Sequence, residues 1–324
     1  MAVVDTVELT AKVKDMYRQV AEEPHRTYHF ELGRPLADRL GYPADVLDRI
    51  PVEAIESFAG VGYFFDLAGL GRDERVIDLG SGSGMDAFFA AAQVGPGGRV
   101  VGVDFTVEQL NKARRLAAAG GLDQVEFREG RIEDLPAADE SFDCAISNGV
   151  INLSAEKKRV FAEATRVLRP GGRLAIADIV SEHQLTDPIV ADADLWASCI
   201  GGAAQQDAYR QAIESAGLRV EAIRQNPYEF ISERARNASG TYGVKSISLL
   251  AVKPGRRPRL TSSSNLSITS RRGTPPPPRV AAAVCRVLLH AWRPRWSRSS
   301  PGPLAQAAPV WEPKPRRPHS RACP

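Results

Sequence analysis

Residues 78–84 read Asp-Leu-Gly-Ser-Gly-Ser-Gly and directly follow the Arg-Val-Ile run at 75–77. Glycine loses more backbone entropy on folding than any other residue, so three glycines in one short stretch need a structural reason. Glycine-rich turns between a strand and the next helix allow backbone N–H groups to approach a bound nucleotide. This stretch therefore predicts a strand, a tight turn and a helix built around a ligand that passes close to the backbone.

The spacing of the glycines distinguishes between kinds of nucleotide site. The dinucleotide fingerprint is GxGxxG, whereas Gly80, Gly82 and Gly84 give GxGxG and Met85 stands where the fingerprint has its third glycine. The spacing therefore disfavours an NAD-dependent Rossmann oxidoreductase. A simple tight turn would explain one glycine well and three poorly.

The flanking sequence alternates short β-branched segments with helical patterns. Strands are predicted at 75–79, 99–104, 124–130, 142–148 and 173–180, and helices at 85–95, 106–120, 154–172 and 206–217. Such alternation with short connections predicts parallel βαβ units, and hence an α/β fold with a doubly wound, Rossmann-like sheet. Residues 218–225 and 242–253 read as two terminal strands that form an antiparallel pair at the sheet edge.

Composition divides the chain into three predicted regions. Residues 1–70 read as a helical N-terminal lid, 71–253 as the α/β domain, and 254–324 as a basic, Pro/Arg-rich disordered tail. The first 253 residues carry 28 Lys and Arg against 38 Asp and Glu, whereas the tail carries 14 bases and one acid. Because an acidic domain repels phosphate, we expect no nucleic-acid partner.

The cysteines and the apolar runs bear on the compartment. Cys144, Cys199, Cys285 and Cys323 form no CxxC pair, which argues against a disulfide framework or a structural zinc site. The N-terminus lacks a cationic start followed by an apolar core, and the longest apolar run in the tail is too short to cross a bilayer. We expect a cytoplasmic protein with no membrane partner.

Two further features complete a predicted nucleoside site. Asp104 ends the segment VVGVD, where a carboxylate can accept hydrogen bonds from both hydroxyls of a ribose, although it could also cap the following helix. Ile132 and Glu133 lie in GRIEDLP, directly after the third strand, where a backbone amide and an acceptor could bind the edge of an adenine. An ordinary polar loop explains GRIEDLP equally well when it is considered alone.

At this point the sequence resembles the class I S-adenosylmethionine-dependent methyltransferases, over roughly residues 70–180. DLGSGSG resembles the first motif of that family and VVGVD the second, while GRIEDLP, SFDCAISN and LRPGGRLAIADI resemble later ones. The resemblance implies a seven-stranded sheet whose last strand is reversed, and S-adenosylmethionine as cofactor. The cofactor-binding residues that it implies are Asp78, Gly80, Gly82, Gly84, Asp104, Ile132, Glu133 and Asn148.

A closer resemblance is to the arsenite methyltransferases, which hold trivalent arsenic between three cysteine thiolates. It rests on SNGVINL (147–153), RPGGRLAIADIV (169–180), CIGGA (199–203) and GYPADVLDRIP followed by GVG (41–62). The cysteines of that family fall on Val61, Gly149 and Cys199, so this chain keeps one of three. The resemblance implies Cys199 as the catalytic residue and a small-molecule acceptor, with small thiols such as glutathione as further partners.

The two absent cysteines leave other functions open. Because soft metalloids prefer sulfur ligands, one thiolate cannot supply the whole site. One alternative is a small organic acceptor in a pocket of aromatic side chains, and another is a cofactor-binding protein without activity. The aromatic candidates are Phe58, Tyr63, Phe64 and Trp196, which could equally be core residues.

Overall fold

The computed structural model describes residues 4–197 and 199–255, and these residues form a mixed sheet flanked by helices. The strands are β1 (Arg75–Leu79), β2 (Arg99–Asp104), β3 (Val125–Glu129), β4 (Phe142–Asn148), β5 (Leu168–Ser181), β6 (Ala204–Gln205), β7 (Arg219–Gln225) and β8 (Lys245–Val252). Their order is β3-β2-β1-β4-β5-β8-β7, and β6 pairs with β5 outside this path. β8 is antiparallel to both of its neighbours, and the pairs from β3 through β5 are parallel.

The helices occur before the sheet and in its crossovers. They are α1 (Thr6–Glu22), α2 (Gly33–Leu40), α3 (Ala44–Leu47), α4 (Val52–Glu56), α5 (Phe65–Ala68), α6 (Met85–Val94), α7 (Val107–Gly120), α8 (Lys157–Val167), α9 (Asp187–Ala191), α10 (Ala193–Ala197), α11 (Gln206–Ser215) and α12 (Glu233–Tyr242). A short 3-10 turn spans Ile151–Leu153. Within the described residues, no helix is long and apolar enough to cross a membrane.

The predicted doubly wound sheet and its reversed last strand are confirmed, with the two-residue β6 as an eighth strand. β5 begins at Leu168, which pairs with Phe142 of β4, so α8 ends at Val167 and not at residue 172, the predicted end of this helix. The terminal strands β7 and β8 pair as expected, but α12 connects them in place of a tight turn.

Alternating side chains of β1 pack on the two faces of the sheet. Val76 belongs to the apolar core that includes α6, whereas Ile77 and Leu79 belong to the core that includes α8. This period of two is expected for a strand covered on both faces. The strand order reverses at β1, because β2 and β3 lie on one side of it and β4 and β5 on the other. Open α/β sheets bind ligands at such a point, beyond the carboxyl ends of the strands.

Five helices precede β1, and α1 covers the carboxyl end of the sheet. The Asp5 side chain caps α1 by accepting hydrogen bonds from the backbone N–H groups of Val7 and Glu8. Leu9 and Val13 of α1 are buried against α10 and the 3-10 turn. The predicted tail at 254–324 lies outside the described residues apart from Pro254 and Gly255, so that boundary stays a prediction.

Candidate cofactor and acceptor site

A cavity lies above the carboxyl ends of β1, β2 and β4, under α1. It encloses about 1070 Å³, open solvent at its mouth included. Seven of the nine predicted site residues line it: Asp78, Gly80, Gly82, Asp104, Ile132, Glu133 and Asn148. Gly84 lies between two lining residues, Ser83 and Met85, and Cys199 does not line the cavity. The structure therefore brings the motifs of β1, β2, β3 and β4 together at one place.

The three glycines of the turn differ in what surrounds them. A Cβ atom added at Gly80 would meet Val150 Cγ1 at 2.5 Å, and one added at Gly84 would meet Phe127 Cζ at 2.7 Å. At Gly82 the nearest atom would be Gln109 Oε1, at 3.7 Å. Protein side chains therefore account for two of the glycines, and Gly82 is the one where a side chain would extend into open space beside the cavity.

Asp104 is held in place by backbone donors on both sides. Its Oδ2 accepts a hydrogen bond from the N–H of Gly82 at 2.9 Å, and its Oδ1 accepts one from the N–H of Thr106 at 2.8 Å. Burial raises the pKa of Asp104, and these two N–H groups partly oppose the shift. The carboxylate is thus fixed to the glycine turn, and its remaining lone pairs can accept the ribose hydroxyls.

Asp78 is a buried carboxyl whose Oδ2 has no hydrogen-bond partner in the described residues. Burial raises its pKa well above the usual range, and the nearby Asp86 and Asp104 raise it further. The hydroxyl of Ser81, in the same turn, is also buried and unpartnered. A buried carboxyl of this kind needs a cationic or donor group, since an unpaired buried polar atom is costly. The ammonium of an amino-acid ligand fits this need.

The third predicted segment contributes one apolar and one polar wall residue. Ile132 is buried in the cavity wall. Glu133 is also buried, but its Oε1 accepts a hydrogen bond from Ser154 Oγ at 2.6 Å, and Arg131 Nε lies 3.3 Å from its Oε2. Glu133 therefore already binds protein groups, and its contact with an adenine stays a prediction.

Asn148 is bound to the loop around residue 61 and to a buried carboxyl. Its Oδ1 accepts from the N–H of Val61 at 2.7 Å, and its Nδ2 donates to Gly62 O at 3.0 Å and Asp86 Oδ2 at 2.9 Å. Tyr42 completes the network by donating its hydroxyl to Asp86 Oδ1 at 2.7 Å. Burial raises the pKa of Asp86 to about 6, and the bonds from Tyr42 and Asn148 oppose that shift. The amide of Asn148 therefore holds the Val61 loop against the end of β4.

Val61 and Gly149, where the resemblance places two arsenic-binding cysteines, lie side by side. A Cβ atom added at Gly149 would lie 3.1 Å from Val61 Cγ1. Cys199 follows α10, and its carbonyl accepts a hydrogen bond from Asn152 Nδ2 at 3.3 Å. Its side chain packs against the apolar cluster that contains Leu153, a residue of the cavity wall. Burial raises the pKa of the Cys199 thiol to about 12, and the Asn152 amide opposes that shift.

Other predicted features are accounted for by packing. Cys144 is fully buried in β4. Phe64 is fully buried in the core beneath the sheet end, whereas Phe58 contacts the cavity. Trp196 donates its indole N–H to Val190 O and lies under the ammonium of Lys157, 4.6 Å from the ring centroid.

Within residues 4–197 and 199–255, no three His, Cys, Asp or Glu side chains could hold a metal ion together.

Gln109 and Tyr17 also line the cavity, although neither belongs to a sequence motif named above. Gln109 lies on the otherwise apolar stripe of α7 that contains Leu110 and Ala113. A buried amide needs hydrogen-bond partners, so a glutamine on an apolar helix stripe is the sequence signal that could have indicated this residue. Tyr17 likewise lies on the face of α1 that contains the apolar residues Val13, Val20 and Ala21.

The chain is similar to several known methyltransferases. A family described as "Methyltransferase domain" matches residues 70–217. An arsenite methyltransferase of Halobacterium salinarum is 42% identical over 223 residues, which cover 68% of this chain and 56% of that protein. A ubiquinone/menaquinone biosynthesis C-methyltransferase of Hahella chejuensis is 30% identical over 218 residues, covering 62% of this chain and 84% of that protein.

A solved structure adds a similarity in three dimensions. The arsenic(III) S-adenosylmethionine methyltransferase of Chlamydomonas reinhardtii is 30% identical, with a TM-score of 0.54, and the match covers 71% of this chain and 76% of that chain. The chain spans little more than half the length of its Halobacterium relative.

The fold, the cavity and these similarities define a class: the chain belongs to the class I S-adenosylmethionine-dependent methyltransferases. Within that family it resembles the arsenite methyltransferases. The cofactor of the family is S-adenosylmethionine, and the residues present fit it. The unpartnered Asp78 can bind the ammonium of the cofactor, and Gly82 leaves room for the cofactor to pass close to the protein backbone. Asp104 can accept hydrogen bonds from the ribose hydroxyls.

We expect Asp104→Ala to weaken the binding of S-adenosylmethionine by about 1–3 kcal/mol, the usual cost of leaving buried polar partners unpaired. The change removes the acceptor for the ribose and also releases the N–H of Gly82. Isothermal titration calorimetry would measure the effect, with Asp123→Ala as control because Asp123 is an exposed acid. Equal affinities for the two variants would contradict the role of Asp104.

Proposed function

We propose that this chain transfers the methyl group of S-adenosylmethionine to a trivalent arsenic species that Cys199 binds together with small thiols such as glutathione. The observation that carries the proposal is the placement of Val61 and Gly149, where an added Gly149 Cβ atom would lie 3.1 Å from Val61 Cγ1. Their chain neighbours Gly60, Asn148 and Val150 line the cofactor cavity. Val61 and Gly149 are the positions of the two absent cysteines. The acceptor region is thus retained in outline while two of its thiols are missing.

The valence of arsenic determines how many ligands it needs in the site. Trivalent arsenic forms three bonds and keeps a lone pair, and it prefers sulfur ligands. Cys199 supplies one sulfur, so the other two ligands come from small thiols that arrive with the arsenic. Capture is then an exchange: an S–As bond forms at Cys199, one bond from arsenic to a small thiol breaks, and the proton of Cys199 passes to the released thiol.

The protein contributes mainly binding and orientation. When bound, S-adenosylmethionine supplies an electrophilic methyl group on a sulfonium. Asp78, Gly82 and Asp104 orient the cofactor, and α1 forms part of the cavity wall. Cys199 holds the acceptor so that its lone pair can face the methyl group, and such positioning is the main source of rate enhancement in a reaction of this kind.

The test is methyl transfer from labelled S-adenosylmethionine to arsenite, with and without glutathione. We expect turnover that requires glutathione and is lost in Cys199→Ser. Cys144→Ala serves as control, because it removes a thiol from the interior of β4. Turnover that persists in Cys199→Ser, or no methylated arsenic with any thiol present, would refute the proposal.

A further inference from the structure

α1 forms one wall of the cofactor cavity. Leu9, Thr10, Val13 and Tyr17 all line the cavity, as do the residues of the glycine turn at 80–83. A cofactor in the cavity would therefore contact both elements. The hydrogen bonds that hold α1 in place are then expected to affect the rate at which the cofactor enters and leaves.

One side chain connects the glycine turn directly to α1. Gln109 of α7 accepts a hydrogen bond from Ser83 Oγ through its Oε1 at 2.5 Å, and its Nε2 donates to Tyr17 O at 2.8 Å. Gln109 is 1% exposed and Ser83 is 5% exposed, so the bond between them is shielded from water, whereas the bond to Tyr17 is partly buried. Hydrogen bonds of this kind are costly to break because the groups left behind stay buried.

A second contact from the same helix lies one turn further along. Lys112 Nζ donates to Ala21 O, at the end of α1, at 3.1 Å and to Ser57 Oγ at 2.8 Å. Ser57 in turn donates to Val20 O at 3.1 Å. Lys112 thus binds the C-terminal end of α1, where a cation is favourable, but it does so away from the glycine turn. Of the two contacts, the one through Gln109 involves the residues that face the cofactor.

We infer that Gln109 is a positioning residue that couples the glycine turn to α1, so that the turn and the helix close on the cofactor together. Ser83 belongs to the turn, and it acts on α1 through the Gln109 amide. The inference depends on the cofactor and not on the identity of the acceptor, so it stands or falls independently of the arsenic proposal.

The test is the rate of S-adenosylmethionine release from the full-length protein, measured by stopped flow, together with amide hydrogen exchange of α1. We expect Gln109→Ala and Ser83→Ala each to speed release by about tenfold, because each change removes the buried hydrogen bond that joins the glycine turn to Gln109. Both changes should also speed exchange in α1 while leaving β1 and β2 protected. In the double variant the effects should not add, because both act through one chain of bonds.

Asn111→Ala is the matched control, since it removes an exposed amide from the same helix. Gln109→Met keeps the length of the side chain, and it replaces Gln109→Ala if that variant does not fold. Unchanged α1 exchange in Ser83→Ala, or additive effects in the double variant, would overturn the coupling. Faster exchange in β1 and β2 to the same degree as in α1 would also overturn it, because it would indicate general destabilisation.

Discussion

Gly82→Val is expected to remove measurable S-adenosylmethionine binding while the protein remains folded. Gly82 has a φ of +52°, and a Cβ atom there would have no neighbour closer than Gln109 Oε1 at 3.7 Å. The branched side chain would therefore extend into the cofactor cavity and not into the core. Calorimetry would measure the loss of binding, and thermal unfolding would show that the fold persists.

Gly121→Val is the control that distinguishes the loss of space in the cofactor cavity from the cost of backbone strain. Gly121 has a φ of +61° and an added Cβ atom would meet nothing within 4 Å, so both variants carry the left-handed penalty of about 1–2 kcal/mol. Gly121 lies at the end of α7, away from the glycine turn. Similar stabilities with binding lost only in the Gly82 variant would fit the assignment. Cofactor binding at normal affinity in Gly82→Val would disprove it.

The double change Val61→Cys, Gly149→Cys should raise the affinity for arsenite by about tenfold or more for each thiol added, because soft metalloids prefer sulfur. The two positions are adjacent, and the backbone carbonyl of Cys199 accepts a hydrogen bond from Asn152 in the 3-10 turn. Arsenite binding should be measured under reductant for the wild type, both single variants and the double variant, so that the new thiols stay free.

The stability of these variants should depend on their combination. Gly149 has a φ of +71°, and its added Cβ atom would lie 3.1 Å from Val61 Cγ1. Gly149→Cys alone is therefore strained, and Val61→Cys relieves part of the crowding by removing one methyl group. Cys199→Ser in the double background should lower the affinity again. Equal arsenite affinity in all variants would show that arsenic binds elsewhere.

Local patterns predicted the sheet well because its strands are short, β-branched and regularly spaced. They failed where pairing between distant segments decides the structure. Leu168 joins β5 because it pairs with Phe142, although Pro170 follows it closely. α12 was missed because its sequence, ERARNASGTY, has few apolar residues and shows no clear stripe.

The sequence predicted which motifs form the site, but it predicted few of the contacts between their side chains. The order of the glycine turn, Asp104 and the Ile132 segment indicated a nucleoside site, since each follows a parallel strand. The partners of Asn148 could not be inferred, because Tyr42 lies 106 residues before it in the chain. Likewise, sequence could not show that protein side chains already fill the space beside Gly80 and Gly84.

The network around Asn148 has a consequence for how such a chain can change through recombination. The matching methyltransferase region begins at residue 70, yet Tyr42 and the backbone of Val61 lie before it and bind Asp86 and Asn148 inside it. Recombination at that boundary would replace the N-terminal segment and leave Asp86 and Asn148 buried without the hydrogen-bond partners that Tyr42 and Val61 provide. The N-terminal helices and the sheet are therefore expected to be inherited as one block, and new acceptors to arise by point substitution within it.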